Sequence, residues 1–254
     1  MKNRRPSKNA APAPRPVPPG QAARDAAVSL LTAVIANGTA LDSALANDPR
    51  LARLDDRNRA LARAIVGTAL RRHGAIEDVL ARFITKPPRN AGSLLPVLEV
   101  AVAQLLFMGI ADHAAVSVAV DQVSADRDAR HFKALANAVL RRTVRERDAL
   151  LAELPADIDA PEWLHDRWTD AYGGEATTAM EAMHRIEPSL DLSVKSDAAA
   201  WAERLGGIVL PTGSVRLVPS GPVEAMEGFA DGAWWVQDAA AALPARLLRD
   251  VAGA

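Results

Sequence analysis

The sequence predicts a mainly α protein in two parts, an all-α helical bundle over about 21–150 and a small α/β domain over 151–254. Three observations predict it. Apolar residues recur at three- and four-residue spacing through almost all of the first part. Proline and turn residues cluster just after Leu150. Beyond them, short segments alternate apolar and polar residues, the period of a half-buried strand.

The elements follow in order. Residues 1–20, MKNRRPSKNAAPAPRPVPPG, are basic and rich in Pro and Ala, and read as a disordered arm with too little apolar surface to offset its chain entropy. Ala22 to Ala36 places Ala27, Leu30, Leu31, Val34 and Ile35 on one helical stripe that stops at Asn37-Gly38. A short helix spans Thr39 to Ala46, and a polar stretch runs from Asn47 to Leu54. Asp55 and Asp56 are candidate N-caps for the next helix, which turns Leu61, Ile65, Ala69 and Leu70 inward and ends near His73-Gly74. A further helix reaches Ile84 before the break at Pro87-Pro88. Ser93 to Met108 is apolar on more than one face, so it should be the central, buried helix. Asp112 is placed to cap His113 to Ala125, and a last helix covers Arg130 to Arg147.

After a linker from Glu153 to Pro161, two helices are expected at Pro161–Tyr172 and Glu175–Ile186, parted by Gly173-Gly174. Leu190, Leu192 and Val194 form a strand, and Asp197 caps a helix through Leu205. Ile208–Leu210 and Val215–Val218 form a hairpin-like pair. Trp234 to Gln237 is one more strand, and Asp238 caps a closing helix, Ala239 to Leu248. Trp163, Trp168, Trp201, Trp234 and Trp235 all fall in this second part and are expected to pack its core.

Composition excludes several classes. There is no cysteine, so disulfides and thiolate chemistry are ruled out for these residues. No apolar run is long enough to cross a bilayer, and no secretory leader is visible, so no membrane partner and a cytoplasmic location are expected. The five histidines are too scattered to form a metal site, and neither a G-x-S-x-G elbow nor a phosphate-binding glycine loop is present. Asp112-His113 resembles an acid–base pair, but adjacent helical residues do not face each other. The net charge of −1 hides an asymmetry: residues 1–150 hold 23 Lys+Arg against 14 Asp+Glu, and residues 151–254 hold 7 against 17. A basic half suits a polyanion. The candidate RNA-facing arginines are Arg59, Arg63, Arg71, Arg72, Arg141, Arg142 and Arg145. Arginine offers a planar donor fork that matches phosphate, although cations near a helix C-terminus also favour the helix dipole. With only Phe83, Phe107 and Phe132 in the helical part, backbone recognition is expected ahead of base stacking.

Several motifs carry a family resemblance: Ala23-Arg24-Asp25-Ala26-Ala27, Asp56-Arg57-Asn58-Arg59-Ala60-Leu61-Ala62, Val66-Gly67-Thr68-Ala69-Leu70-Arg71-Arg72, Gln104-Leu105-Leu106-Phe107-Met108, Asp112-His113-Ala114-Ala115-Val116 and Asn137-Ala138-Val139-Leu140-Arg141-Arg142. The helical part resembles a NusB-like domain. The order is closer to the N-terminal domain of RsmB/Sun-type rRNA cytosine-5 methyltransferases than to free NusB. Pro161-Glu162-Trp163-Leu164, the strand at Leu190, Pro211 to Leu217, and Gly232 to Asp238 are similar to that family's linking domain.

The resemblance implies rRNA as partner and S-adenosylmethionine as cofactor of the full-length family. It also implies that Val236-Gln237-Asp238 leads toward a Rossmann-like methyltransferase domain, so Gln237 and Asp238 are expected at a domain junction. The family's reaction uses cysteine thiolates and a Gly-rich cofactor loop. This sequence has neither and ends at Gly253-Ala254, so the catalytic domain is expected to be absent, the chain alone inactive, and no catalytic or cofactor-binding residue is assigned. The rival reading is a stand-alone NusB-like module of antitermination type, against which the second part argues.

Overall fold

A computed structural model describes residues 20–86, 88–218 and 221–246. The basic arm up to residue 19, Pro87 of the Pro-Pro break, the end of the expected closing helix at Leu248, and Gly253-Ala254 lie outside the described residues. The chain divides into two compact units, Met1–Ile186 and Glu187–Ala254.

The first unit contains α1 (Gln21–Ile35), α2 (Leu41–Asn47), α3 (Pro49–Ala52), α4 (Asp56–Arg71), α5 (His73–Phe83), α6 (Leu94–Phe107), α7 (Asp112–Ala125), a 3-10 turn (Arg130–Phe132), α8 (Lys133–Arg145), α9 (Arg147–Glu153), α10 (Glu162–Tyr172) and α11 (Gly174–His184). The most apolar stretch is the centre, as its sequence requires. Helix α6 packs against α1, α4, α5, α7 and α8, and Leu94, Leu98, Val102 and Ala103 are fully buried. A helix apolar around its whole circumference has no solvent face to offer, so its neighbours must surround it. One polar group is taken inside with it: Arg24 of α1 donates to Gln104 of α6 at 2.7 Å, and Gln104 donates in turn to the Val100 carbonyl. Burial holds the Arg24 guanidinium below its usual pKa.

The structure refines the expected helix boundaries in four places. The polar stretch 47–54 contains α3, because the Asp48 carboxylate accepts from the Arg50 and Leu51 N–H groups, Pro49 suits the first helical position, and Leu51 is anchored in the core. Asp55, not Asp56, is the N-cap of α4, accepting from Asn58 N–H at 2.7 Å. Asp112 does not cap α7; it lies inside the first turn and pairs with Arg147 at the start of α9. The expected helix 130–147 is a 3-10 turn followed by α8, and the chain re-forms helix as α9 immediately after Glu146.

Helix α4 ends at Arg71, close to the expected stop at His73-Gly74, and Gly74 itself lies in the first turn of α5, where a side chain has no room. A Cβ on Gly74 would stand 1.8 Å from the Ile158 carbonyl oxygen. The 155–161 segment therefore runs directly over the start of α5. It is pinned by Asp159, whose carboxylate accepts from Ala75 N–H at 3.0 Å and pairs with Arg72 at 3.2 Å and Arg185 at 3.5 Å. This is why α10 and α11 group with the helical unit, whereas their sequence places them with the second part: the tie is a set of long-range polar contacts that no local pattern announces.

The second unit is an antiparallel four-stranded sheet, order β2-β3-β1-β4, with β1 (Leu190–Val194), β2 (Ile208–Val209), β3 (Val215–Leu217) and β4 (Trp234–Val236). The alternation seen in the sequence sets the faces. Leu192, Val215, Leu217 and Trp234 are buried beneath α12 (Ala198–Leu205), whose N-cap Asp197 accepts from Ala200 N–H as expected. In register, Leu192 opposes Val215 on one side and Val236 on the other. Gly228 has φ +85°, and a Cβ there would lie 2.5 Å from Trp201, so only glycine fits against that indole. The expected closing helix begins later: residues 239–242 form a turn held by Asp238, and α13 starts at Leu243 and runs through Arg246 to the end of the described residues. Core packing holds for Trp234 and Trp201 but not for Trp163 and Trp235, which are 65% and 48% exposed.

Candidate nucleic-acid interface

Helix α4 builds one basic stripe. Arg59, Arg63 and Arg71 are separated by four and eight residues, so they follow one slowly rotating line along the helix, with Gly67 between them. The inner face carries Ala62, Ile65, Val66 and Ala69, which fixes the arginines outward. Arg59 is tied locally, to Asp56 at 2.8 Å and to the Leu54 carbonyl at 2.7 Å. Arg63 is exposed and makes no hydrogen bond or ion pair among the described residues. Arg71 folds back over Gly67, where the missing side chain leaves it room, and lines a cavity. Arg57 is exposed one turn away and lines a second opening with Asp55, Asn58 and Leu61.

Arg72, one residue beyond Arg71, points elsewhere. Its guanidinium lies 4.4 Å from the centre of the Phe107 ring and pairs with Asp159, and its side chain is only 17% exposed. Burial, opposed by the attraction of Asp159, lowers its pKa. Arg72 supports the fold of the surface and does not lie on it.

The α8 arginines form a separate group. Arg141, Arg142 and Arg145 are exposed. Arg141 has no carboxylate partner among the described residues and donates to the Asn137 side-chain oxygen at 3.1 Å. Arg142 lies 4.3 Å from the centre of the Phe83 ring and shares Glu146 with Arg145. Those two donors, first Arg145 and then Arg142, depress the Glu146 pKa. Helices α4 and α8 both pack on α6, so the seven arginines expected from sequence are two surface groups and one internal residue, not one continuous patch.

The cavity beside α4 was not legible in the sequence. It has a volume of about 360 Å³ and is lined by Leu70, Arg71, Asp159 to Pro161, Leu164, Trp168, Glu181 and His184. The Trp168 and His184 rings stack with centroids 5.3 Å apart. Glu181 is buried, and one of its oxygens lies 2.6 Å from His165 Nδ1, which raises the His165 pKa. Nothing in local spacing could have joined Arg71 to Glu181; the Asp159 anchor does so.

Gln237 and Asp238 lie in the second unit and are locally engaged. The Gln237 side-chain oxygen accepts from the Ser193 hydroxyl at 2.7 Å and from the Trp235 indole at 3.2 Å. Asp238 accepts from Ala240 and Ala241 N–H. Beside them, Asp191 is gripped by both arms of Arg216 at 2.7 Å and accepts from Ala239 N–H, contacts that lower its pKa. No group of three or more metal-ligating side chains occurs among the described residues.

A helical bundle closed around α6, with arginines on its outer faces, defines the class: residues 21–145 match the NusB family. The match to known proteins runs well past that domain. Ribosomal RNA small subunit methyltransferase B of Xylella fastidiosa is 33% identical over 240 residues, covering 90% of this chain and 54% of its own length. The Xanthomonas campestris protein of the same name is 34% identical over 236 residues, 87% of this chain and 52% of its own. A probable methyltransferase B of Bacillus subtilis is 30% identical over 213 residues. The chain carries a NusB-family domain and is similar over about nine-tenths of its length to ribosomal RNA small subunit methyltransferase B proteins, and it spans about half the length of the curated relatives it matches. The crystal structure of PH0851 shares the fold, with a TM-score of 0.58 at 16% identity, over 91% of this chain and 55% of that one.

Proposed function

We propose that this chain is the RNA-holding region of an rRNA cytosine-5 methyltransferase, and that its arginine faces grip the phosphate backbone of ribosomal RNA in the cytoplasm. The observation that carries the reading is the α4 stripe: Arg63 stands exposed with no hydrogen-bond or ion-pair partner among the described residues, flanked by Arg59 and Arg71 along the same line. A guanidinium kept in water without a carboxylate is available to a phosphate, and each such contact releases a counterion. Arg141, Arg142 and Arg145 supply a second contact zone, and Arg72 supports the first from inside. Similarity that continues beyond residue 145 favours this reading over a stand-alone antitermination module.

S-adenosylmethionine is the cofactor the family resemblance implies for the whole enzyme, and the residues of this chain do not fit it. The turns leading from β1 to α12 and from β4 to α13 are Lys195-Ser196-Asp197 and residues 237–242, with no glycine to let backbone approach a charged cofactor. The 254 residues also hold no thiol to attack a cytosine ring. Gln237 and Asp238 are proposed to mark the approach to the catalytic part.

Titration of single-stranded rRNA fragments across a salt series tests the proposal. Log K should fall linearly with log salt, by about 0.7 per phosphate neutralised. Arg63→Glu and Arg141→Glu should each weaken binding for all sequences and flatten the slope by roughly one contact. A wild-type protein with no affinity for these fragments at low salt would refute it.

A further inference from the structure

We infer that the cavity between α4, the 159–161 segment, α10 and α11 receives one unpaired RNA nucleotide whose base carries an exocyclic amine: adenine, cytosine or guanine. The inference rests on the RNA reading above and extends it from backbone to base.

Size comes first. At about 360 Å³ the cavity lies near the lower end of the ~300–1,000 Å³ range that holds small organic ligands, room for one nucleotide and too little for a duplex. Its walls suit a flat ring. Leu70, Leu164 and Pro161 supply apolar surface, and Trp168 with His184 forms an aromatic ledge on which a splayed-out base can stack. The sequence alone places Trp168 in a different part of the chain from the arginines. The Asp159 anchor brings it to them.

The polar groups select the base. Glu181, with a side chain 3% exposed, gives one oxygen to His165; its other oxygen makes no hydrogen bond among the described residues. The second oxygen is therefore open to a donor entering the cavity, and a carboxylate accepts from the exocyclic amines of cytosine, adenine and guanine. Uracil presents a carbonyl at the corresponding position. A free cationic amine is a poorer match, because the carboxylates are already outnumbered: Asp159 is paired with both Arg72 and Arg185, Glu181 faces His165, and Arg71 stands at the rim. The surplus positive charge favours a ligand that is neutral where it donates and anionic where it meets Arg71. A nucleotide is both.

The test uses the full chain and fluorescence anisotropy with labelled oligoadenylate, oligocytidylate and oligouridylate. Wild-type protein should prefer the first two. Trp168→Ala should weaken them by about tenfold, the scale of one lost base–aromatic stack, and Trp168→Phe should restore most of it. Glu181→Gln, whose amide offers a donor where the carboxylate accepted, should erase the preference over oligouridylate, a readout that a mere change in folding would not mimic. Thermal melts of each variant accompany the titrations, and if Trp168→Ala is unfolded, the Glu181→Gln preference decides. Unchanged binding and preference in these variants, alongside weakening in Arg63→Glu, would overturn the base pocket and leave the backbone reading standing. Absence of RNA binding by wild-type protein would overturn both. Adenosine or cytidine monophosphate binding more tightly than the oligonucleotides would show a free-nucleotide site, which also overturns it.

Discussion

Replacing Asp159 with alanine should cost the helical unit about 3 kcal/mol, and the structure shows where that figure comes from. The Asp159 side chain is 8% exposed and pairs with two arginines whose side chains are 17% and 24% exposed. Removing one partner from a buried ion pair typically costs about 3–5 kcal/mol, because the remaining charge is left desolvated. Here both guanidiniums keep some water, which places the loss near the lower end. The Nε atoms of Arg72 and Arg185 are already buried without hydrogen-bond partners, so neither arginine has a replacement acceptor at hand. The Ala75 N–H at the start of α5 also loses its acceptor. For a domain of this size each kcal/mol moves the midpoint by about 2–4 °C, so Asp159→Ala should lower Tm by roughly 6–12 °C in a circular dichroism melt. Asp159→Asn keeps the acceptor for Ala75 and should lose less. Combining Asp159→Ala with Arg72→Met removes the orphaned charge and should recover part of the loss, a non-additivity expected only if the two residues interact. Hydrogen exchange should accelerate in α10 and α11 before it does in α6. A shift in stability under about 0.5 kcal/mol for Asp159→Ala, the range of an ordinary surface substitution, would refute the account of how α10 and α11 are held.

Two further substitutions test the same physical picture. Gly74→Ala would raise stability by up to ~1 kcal/mol if helix propensity alone mattered, but the added carbon meets backbone 1.8 Å away; urea titration should therefore show a loss of roughly 3 kcal/mol, the upper end for overpacking. Asp126 has its pKa lowered to about 2 by the Ser93 side chain, and then by the N–H groups of Ser93, Asp128 and Ala129, against the opposing effect of partial burial. Because the folded pKa lies below the unfolded one, the stabilisation is complete above about pH 4 and is lost as pH falls toward 2. Solvent screening at this partly exposed site limits it to about 1 kcal/mol. The gap between wild type and Asp126→Asn in urea midpoint should close over that window; a gap independent of pH would mean that the carboxylate charge is not what holds the 91–93 turn.

Most helices and strands were legible because local chemistry specifies them. The α6 stretch is apolar all round and became the centre; Leu190, Leu192 and Val194 alternate and became the middle of the sheet; Asp55 and Asp197 were placed as caps and act as caps. Errors came where a residue's partner is distant in sequence. Asp112 looked like a cap, but Arg147 claims its carboxylate from another helix. Gly74 lies close to the stop of α4, but what requires a glycine there is the Ile158 carbonyl. Arg72 and Arg71 are neighbours of the same type, and only the packing of Phe107 and Asp159 separates an internal support from a cavity-lining cation.

The sequence by itself determined the helical bundle, the small antiparallel sheet and the basic character of the first part, since periodicity and charge are properties of neighbouring residues. Tertiary structure alone decided which arginines face water, and that the segment around Asp159 ties α10 and α11 to the helical unit. It thereby made the cavity that joins Arg71 to Trp168 and Glu181. Such a site depends on side chains meeting across about 110 positions of chain, from Arg71 to Glu181, and that meeting is set by a buried carboxylate at Asp159 and a glycine with no side chain at 74, whose effects appear only once the backbone has closed on itself.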